Sequence, residues 1–173
     1  MKPNDASPTP ESVKQMLLRL GHFILPWDMH RVTVPLSLRR RLGHHLALTW
    51  ICSPWQDRVR LVLDVLWEPY LQVVGTEIRD PALADRTLFL LNQASRAIVT
   101  DTRNRWDIPV ELVSGAGLSN RQNAVVLIVN RFWLELLTPE TWGQSFVQTL
   151  RSAHESLSHP DEAPISADEK PSQ

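Results

Sequence analysis

The sequence predicts a mainly α-helical chain, folded as an irregular bundle of five or six helices. Three observations lead there. Apolar residues recur at spacings of three and four along most of the chain. Cap-plus-proline motifs (Thr9-Pro10-Glu11, Asp80-Pro81 and Thr138-Pro139-Glu140) open several of these stretches, and further prolines close others. A hydrophobic content of 43% over 173 residues suits one globular domain with a single core. The expected domain spans residues 10–157, between a polar N-terminal tail (1–9) and an acidic C-terminal tail (158–173), both read as disordered.

The elements follow in order. Val13, Met16, Leu17, Leu20, Phe23 and Ile24 mark an amphipathic helix that Pro26 stops. Arg31–Val34 alternates polar and β-branched residues, as a short strand does, and residues 110–113 offer a second. The two leave room for one small β-ribbon; extended linkers are the alternative. Ser37 can cap a helix running to about Cys52, with Leu38, Leu42, Leu46 and Trp50 on one face. Between Trp55 and Ile78, the residues Arg60, Asp64, Glu68 and Gln72 recur every four positions, which reads as a solvent stripe with an Arg60–Asp64 pair. Pro69 predicts a kink there.

A further helix is expected from Asp80-Pro81 to about Arg105, with Ala84, Leu88, Leu91, Ser95, Ile98 and Thr102 as its packing seam. After the Gly115-Ala116-Gly117 turn, Ser119 can cap a helix over Asn120–Leu137. Its centre, Ala124–Val129, is apolar on every face and so belongs in the middle of a bundle; a buried strand is the competing reading for that stretch. Trp142, Phe146, Thr149, Leu150, Ala153 and Leu157 line a last helix. No internal repeat is evident.

Several function classes find no support. Cys52 is the only cysteine, so an intrachain disulfide and a zinc–thiolate site are out. His44 and His45 would point about 100° apart on a helix, and His22 and His30 straddle Pro26, so neither pair has metal-ligand spacing. Asp57, Asp64 and Glu68 share their expected face with Arg60 and read as solvated. Gly115-Ala116-Gly117-Leu118-Ser119 lacks both the order of a nucleophile elbow and the lysine of a phosphate loop. No catalytic, cofactor or metal site is therefore predicted, and an enzyme would need a site assembled from residues distant in sequence. The N-terminus lacks the basic-then-apolar order of a signal peptide, and no apolar run is long enough to span a bilayer, so the expected location is cytoplasmic.

Charge and aromatic content point to binding. The three lysines sit at positions 2, 14 and 170, so the body is basic almost only through arginine. Arg39, Arg40 and Arg41, with Arg31 and Arg121, are candidate contacts for phosphates or another anion. Seven tryptophans exceed what a domain of this size usually needs, and Trp55, Trp106 and Trp142 are candidate partner-binding aromatics. The leading expectation is a non-enzymatic protein–protein interaction module: an adaptor, accessory subunit or regulator of a bacterial-type assembly. Its partner would be another protein or a second copy. The alternative is a helical DNA-binding transcriptional regulator that uses the arginine-rich face.

Overall fold

Short turns without glycine organise the chain. Met29 and His30, with φ of 51° and 91°, reverse it between β1 (His22–Asp28) and β2 (Arg31–Thr33). Gln56, at φ 52°, and Asp57 do the same between β3 (Trp50–Trp55) and β4 (Arg58–Leu63). The registers Asp28↔Arg31 and Trp55↔Arg58 make both connections two-residue hairpin turns. The remaining strands are β5 (Arg96–Ile98), β6 (Arg105–Asp107), β7 (Ala124–Asn130) and β8 (Trp133–Leu137). Among the described residues, five α-helices accompany them: α1 (Leu36–Leu42), α2 (Trp67–Glu77), α3 (Pro81–Ala94), α4 (Val110–Gly115) and α5 (Pro139–Ser158).

The computed structural model describes residues 21–118, 123–130 and 133–158. All eight strands form one antiparallel sheet in the order β5-β3-β4-β8-β7-β1-β2-β6. Its two edge strands, β5 and β6, are consecutive in the chain. Laid flat, eight strands would separate those edges by about 34 Å. The connection Val99–Asn104 reaches at most about 25 Å, so the sheet must curl. Packing shows the same closure: the rings of Trp50 on β3 and Trp106 on β6 lie 5.2 Å apart, and α4 packs on β3 and β4. The result is a nearly closed, barrel-like sheet wrapped by short helices, not a mainly α bundle.

The expected helices are corrected one by one. Most of the helix expected from residue 10 lies outside the described residues, but its Phe23 and Ile24 belong to β1 and pair with Leu127 and Val126. The helix expected to run to Cys52 ends at Leu42, and a 3-10 segment leads into β3. The apparent stripe at 60, 64, 68 and 72 crosses three elements: Arg60 lies in β4, Asp64 opens a 3-10 turn, and only Glu68 and Gln72 are on α2. Pro69 sits in the first turn of α2, where its missing N–H costs nothing. The helix from Pro81 stops at Ala94, short of Arg105. The described part of Asn120–Leu137 is the β7–β8 hairpin rather than a helix, so Ala124–Val129 takes the competing strand reading. Residues 31–33 are a strand, but they pair with β6, because 110–113 begins α4.

Two helix starts lie where their caps place them. The Asp80 carboxylate accepts from Ala82 N at 3.0 Å, and Thr138 Oγ1 accepts from Thr141 N at 3.0 Å. Gly43 ends α1 at φ 53°, ψ −126°, a backbone region open essentially only to glycine. No neighbouring atom would meet an added Cβ, so Gly43→Ala tests backbone strain alone. It is expected to cost about 1–3 kcal/mol, read as a lower urea midpoint at unchanged slope.

The pairings also reveal an internal two-fold, correcting the expectation of no repeat. The first half runs β1-β2-α1-β3-β4-α2 and the second β5-β6-α4-β7-β8-α5, with α3 as the joint. Pair β1·β7 corresponds to β5·β3, and β3·β4 to β7·β8. On the axis each strand meets its own equivalent: β2·β6 through Val32↔Trp106, and β4·β8 through Arg60↔Glu135. Two stretches echo one another accordingly, Arg31-Val32-Thr33-Val34-Pro35 and Arg105-Trp106-Asp107-Ile108-Pro109.

Side-chain alternation sorts the core. Leu25, Trp27, Val32, Trp50, Leu61 and Trp106 face the barrel interior, all buried. The opposite face of β4 and β8 is covered in turn, with Tyr70 of α2 lying over Arg60. Among the described residues, no helix is long and apolar enough to cross a membrane.

Candidate nucleic-acid interface

Alternation along β2 and β6 turns Val32 and Trp106 inward and leaves Arg31, Thr33, Arg105 and Asp107 on the outer face of a two-stranded ribbon. The hairpin turn Met29–His30 and the loop before β6 flank this ribbon. Asp101 braces that loop. Its carboxylate accepts from Arg103 N and Arg105 N, both at 2.8 Å, and pairs with the Arg105 guanidinium at 2.8 Å. The hydrogen bond from Arg105 holds the Asp101 carboxyl below its ordinary value. This brace is present above the ordinary aspartate range and is lost as pH falls through the lowered value.

The ion pairs of the ribbon are uneven. Asp107 accepts from His30 Nε2 at 2.9 Å, while Arg31 Nε stays 3.7 Å away with 45% of its side chain exposed. Arg31 is thus loosely held, and Arg105 is engaged with Asp101. Beyond Pro35, α1 buries Leu38 and Leu42 one turn apart, which turns Arg40 and Arg41 to solvent. Neither has a carboxylate partner among the described residues. Arg39 is half-buried, and its Nε has no hydrogen-bond partner. Arg121 lies outside the described residues.

No protein-family model and no curated protein matches the chain. Its chemistry is therefore read from its own residues.

Charge is segregated along the chain. Residues 28–41 hold four arginines and one aspartate, whereas residues 64–94, the 3-10 turn with α2 and α3, hold five carboxylates and two arginines. The basic stretch contains β2, its hairpin turn and α1. The structure thus places Arg31, Arg40 and Arg41 in solvent on consecutive elements.

The three candidate tryptophans have different places. Trp106 is fully buried in the barrel and presents no surface. Trp55 is half-buried at the end of β3, beside a groove of about 420 Å3 that Pro54, Ile78, Thr87, Leu90 and Leu91 also line. Trp142, half-buried in the first turn of α5, packs on the rings of His22 at 4.6 Å and Phe146 at 5.5 Å.

A second polar constellation escapes the sequence reading. Glu135 is buried; its Oε1 accepts from Arg60 Nε at 3.0 Å and from Trp133 Nε1 at 2.9 Å, and its Oε2 accepts from Arg58 at 3.2 Å. Arg60 also donates to the Tyr70 hydroxyl at 3.2 Å and lies 4.2 Å from the centroid of Trp55. Burial pushes the Tyr70 hydroxyl up, opposed by the Arg60 charge. Every charged group here has a partner, so the cluster fastens β4 to β8 and leaves no vacancy for a ligand. Its one sequence signal is a lone charge inside each apolar run, Val59-Arg60-Leu61 and Leu134-Glu135-Leu136, opposite in sign. Cys52 faces the barrel interior, where burial drives its thiol far up and away from thiolate chemistry.

Proposed function

We propose that the chain is a non-enzymatic nucleic-acid-binding module of the regulator type, contacting phosphates through the β2–β6 ribbon and α1. The observation that carries this reading is the exposure of Arg31, Arg40 and Arg41 on consecutive elements within the basic stretch of a chain whose remainder is net acidic. A two-stranded antiparallel ribbon fits the major groove of duplex DNA. Thr33 and Arg105 on its outer face would meet base edges or the sugar–phosphate chain.

The test is binding to a labelled random duplex over a salt series. Three phosphate contacts give a slope of log K against log[salt] near ~−2.7. Charge reversal at both positions, Arg40→Glu with Arg41→Glu, is expected to weaken binding by about tenfold or more and to flatten the slope by about 2. Absence of binding at low salt, or binding indifferent to the reversal, would rule the reading out.

A second reading, as a protein–protein interaction module of the adaptor or accessory-subunit kind, has its own support. Leu83, Phe89 and Leu90 stand 53%, 62% and 54% exposed on α3. Leu83 and Leu90 lie on the side of α3 that lines the Trp55 groove, and with it they make an apolar surface suited to another protein or a second copy. Sedimentation over a concentration series, comparing the native chain with Leu90→Asp, separates self-association from a monomer.

A further inference from the structure

The internal two-fold lets each arginine of α1 be compared with the residue that takes the same structural place in α4. Residues 36–43 match residues 110–117 position for position. Leu38 and Leu42 are buried, as are their equivalents Leu112 and Ala116, and Gly43 and Gly117 follow them at positive φ, 53° and 66°. Between these anchors the chemistry differs. Arg40 and Arg41, in solvent on α1, stand where α4 has the exposed Ser114 and Gly115. Arg39, whose Nε has no hydrogen-bond partner, stands where α4 buries Val113. The same local structure forms with and without the three arginines, so folding does not call for them.

The two helices also leave from opposite ends of the ribbon. β2 and β6 are antiparallel, so α1 follows the end at Thr33↔Arg105 and α4 the end at Arg31↔Asp107. On the α1 side Arg40 and Arg41 are unopposed, and the carboxylate Asp101 is taken up by Arg105. On the α4 side Asp107 and Glu111 stand 3.7 Å from Arg31 and 3.5 Å from Arg96. Glu111 takes the place that Ser37 has on α1. A phosphate chain is therefore attracted to one flank of the ribbon and meets carboxylates on the other.

We propose that this site grips a single phosphate backbone, an inference that rests on the nucleic-acid-binding function proposed for it. One polynucleotide strand runs from α1 across the ribbon to Arg31, and the α4 flank stays outside. A second strand adds no contact, so a single-stranded oligonucleotide carries the full affinity.

Fluorescence anisotropy of the full-length chain with a labelled short single strand, and with the duplex of the same sequence, tests this. The two affinities are expected within about fivefold, with salt slopes near ~−2.1 for the strand and ~−2.7 for the duplex, three contacts in each case. A second comparison places the same charge change on each flank. Arg40→Glu with Arg41→Glu should weaken both ligands about tenfold or more. Ser114→Glu with Gly115→Glu, where open space receives the Gly115 side chain, should leave both within about twofold, because a charge off the path is screened. Duplex binding more than about tenfold tighter than the strand, or equal losses from the two flanks, would overturn the single-backbone grip while leaving nucleic-acid binding in place. Failure of both ligands to bind at low salt would overturn the two together.

Discussion

Glu135→Ala is expected to lower stability by about 3–5 kcal/mol, as removal of one member of a buried ion pair does. Arg60 is only 7% exposed, and its counter-charge would be gone while its guanidinium stayed between Trp55 and Trp133. Trp133 Nε1 would lose the acceptor it now has at 2.9 Å. Arg58 suffers less, because Asp57 holds it at 3.0 Å near the surface. The double variant Arg60→Met with Glu135→Leu should recover part of the loss, since neither charge is then left buried without the other, although Trp133 Nε1 still loses the Glu135 acceptor and the Tyr70 hydroxyl the Arg60 donor. Urea midpoints of the native chain, both single variants and the double variant close the cycle. A single-variant loss under about 1 kcal/mol would show that water reaches the cluster and screens it.

Arg60 and Glu135 occupy equivalent positions of the two halves and meet across the internal axis. Identical charged residues there would place like charges face to face, so this pairing requires the two halves to differ at this position. Opposite charges also fix which strands meet, because a one-residue slip of β8 would carry Glu135 to the apolar interior face. The same divergence hides the repeat from a sequence reader. The echo between residues 31–35 and 105–109 keeps one arginine, one proline and an inward apolar pattern, but sets Val32 against Trp106.

Other features were illegible for physical reasons. β4 is buried along Val59–Leu63 and β8 along its whole length, because one face lines the barrel and the other meets helices. Strands covered on both sides lose the alternation that identifies them, and their apolar runs read equally well as central helices. The turns add nothing, since Met29, His30 and Gln56 take positive φ where glycine or asparagine would signal a turn. What remained legible was local: the Asp80-Pro81 and Thr138-Pro139 starts, the β-branched alternation at 31–33, and the exposure of Arg40 and Arg41 opposite Leu38 and Leu42. The arginines were visible as a charge run, but the ribbon beside them depends on β6, seventy-odd residues later in the chain, and no periodicity signals that pairing.

Trp106→Ala should cost about 3–5 kcal/mol, the range for deleting a large buried aromatic side chain. Trp106 is fully buried on the internal axis and stacks edge-on to Trp50 at 5.2 Å, across the gap between the sheet edges. Its loss empties the point at which the barrel closes, so α4 and β3 would have to collapse inward or leave a cavity. Trp106→Phe should be far milder, at about 1.5 kcal/mol or less. The ring contact survives, and the substitution deletes an indole N–H that has no partner in the interior, which offsets part of the lost volume. Exchange across the axis, Val32→Trp with Trp106→Val, conserves volume and should therefore retain more stability than Trp106→Val alone. It should not restore it fully, because the position equivalent to Trp50 in the other half is Val125, which offers no ring to stack on. Urea midpoints with near-ultraviolet circular dichroism of the Trp50–Trp106 pair distinguish these outcomes. If Trp106→Ala fell within about 1 kcal/mol of the native chain, closure of the barrel would not depend on this contact.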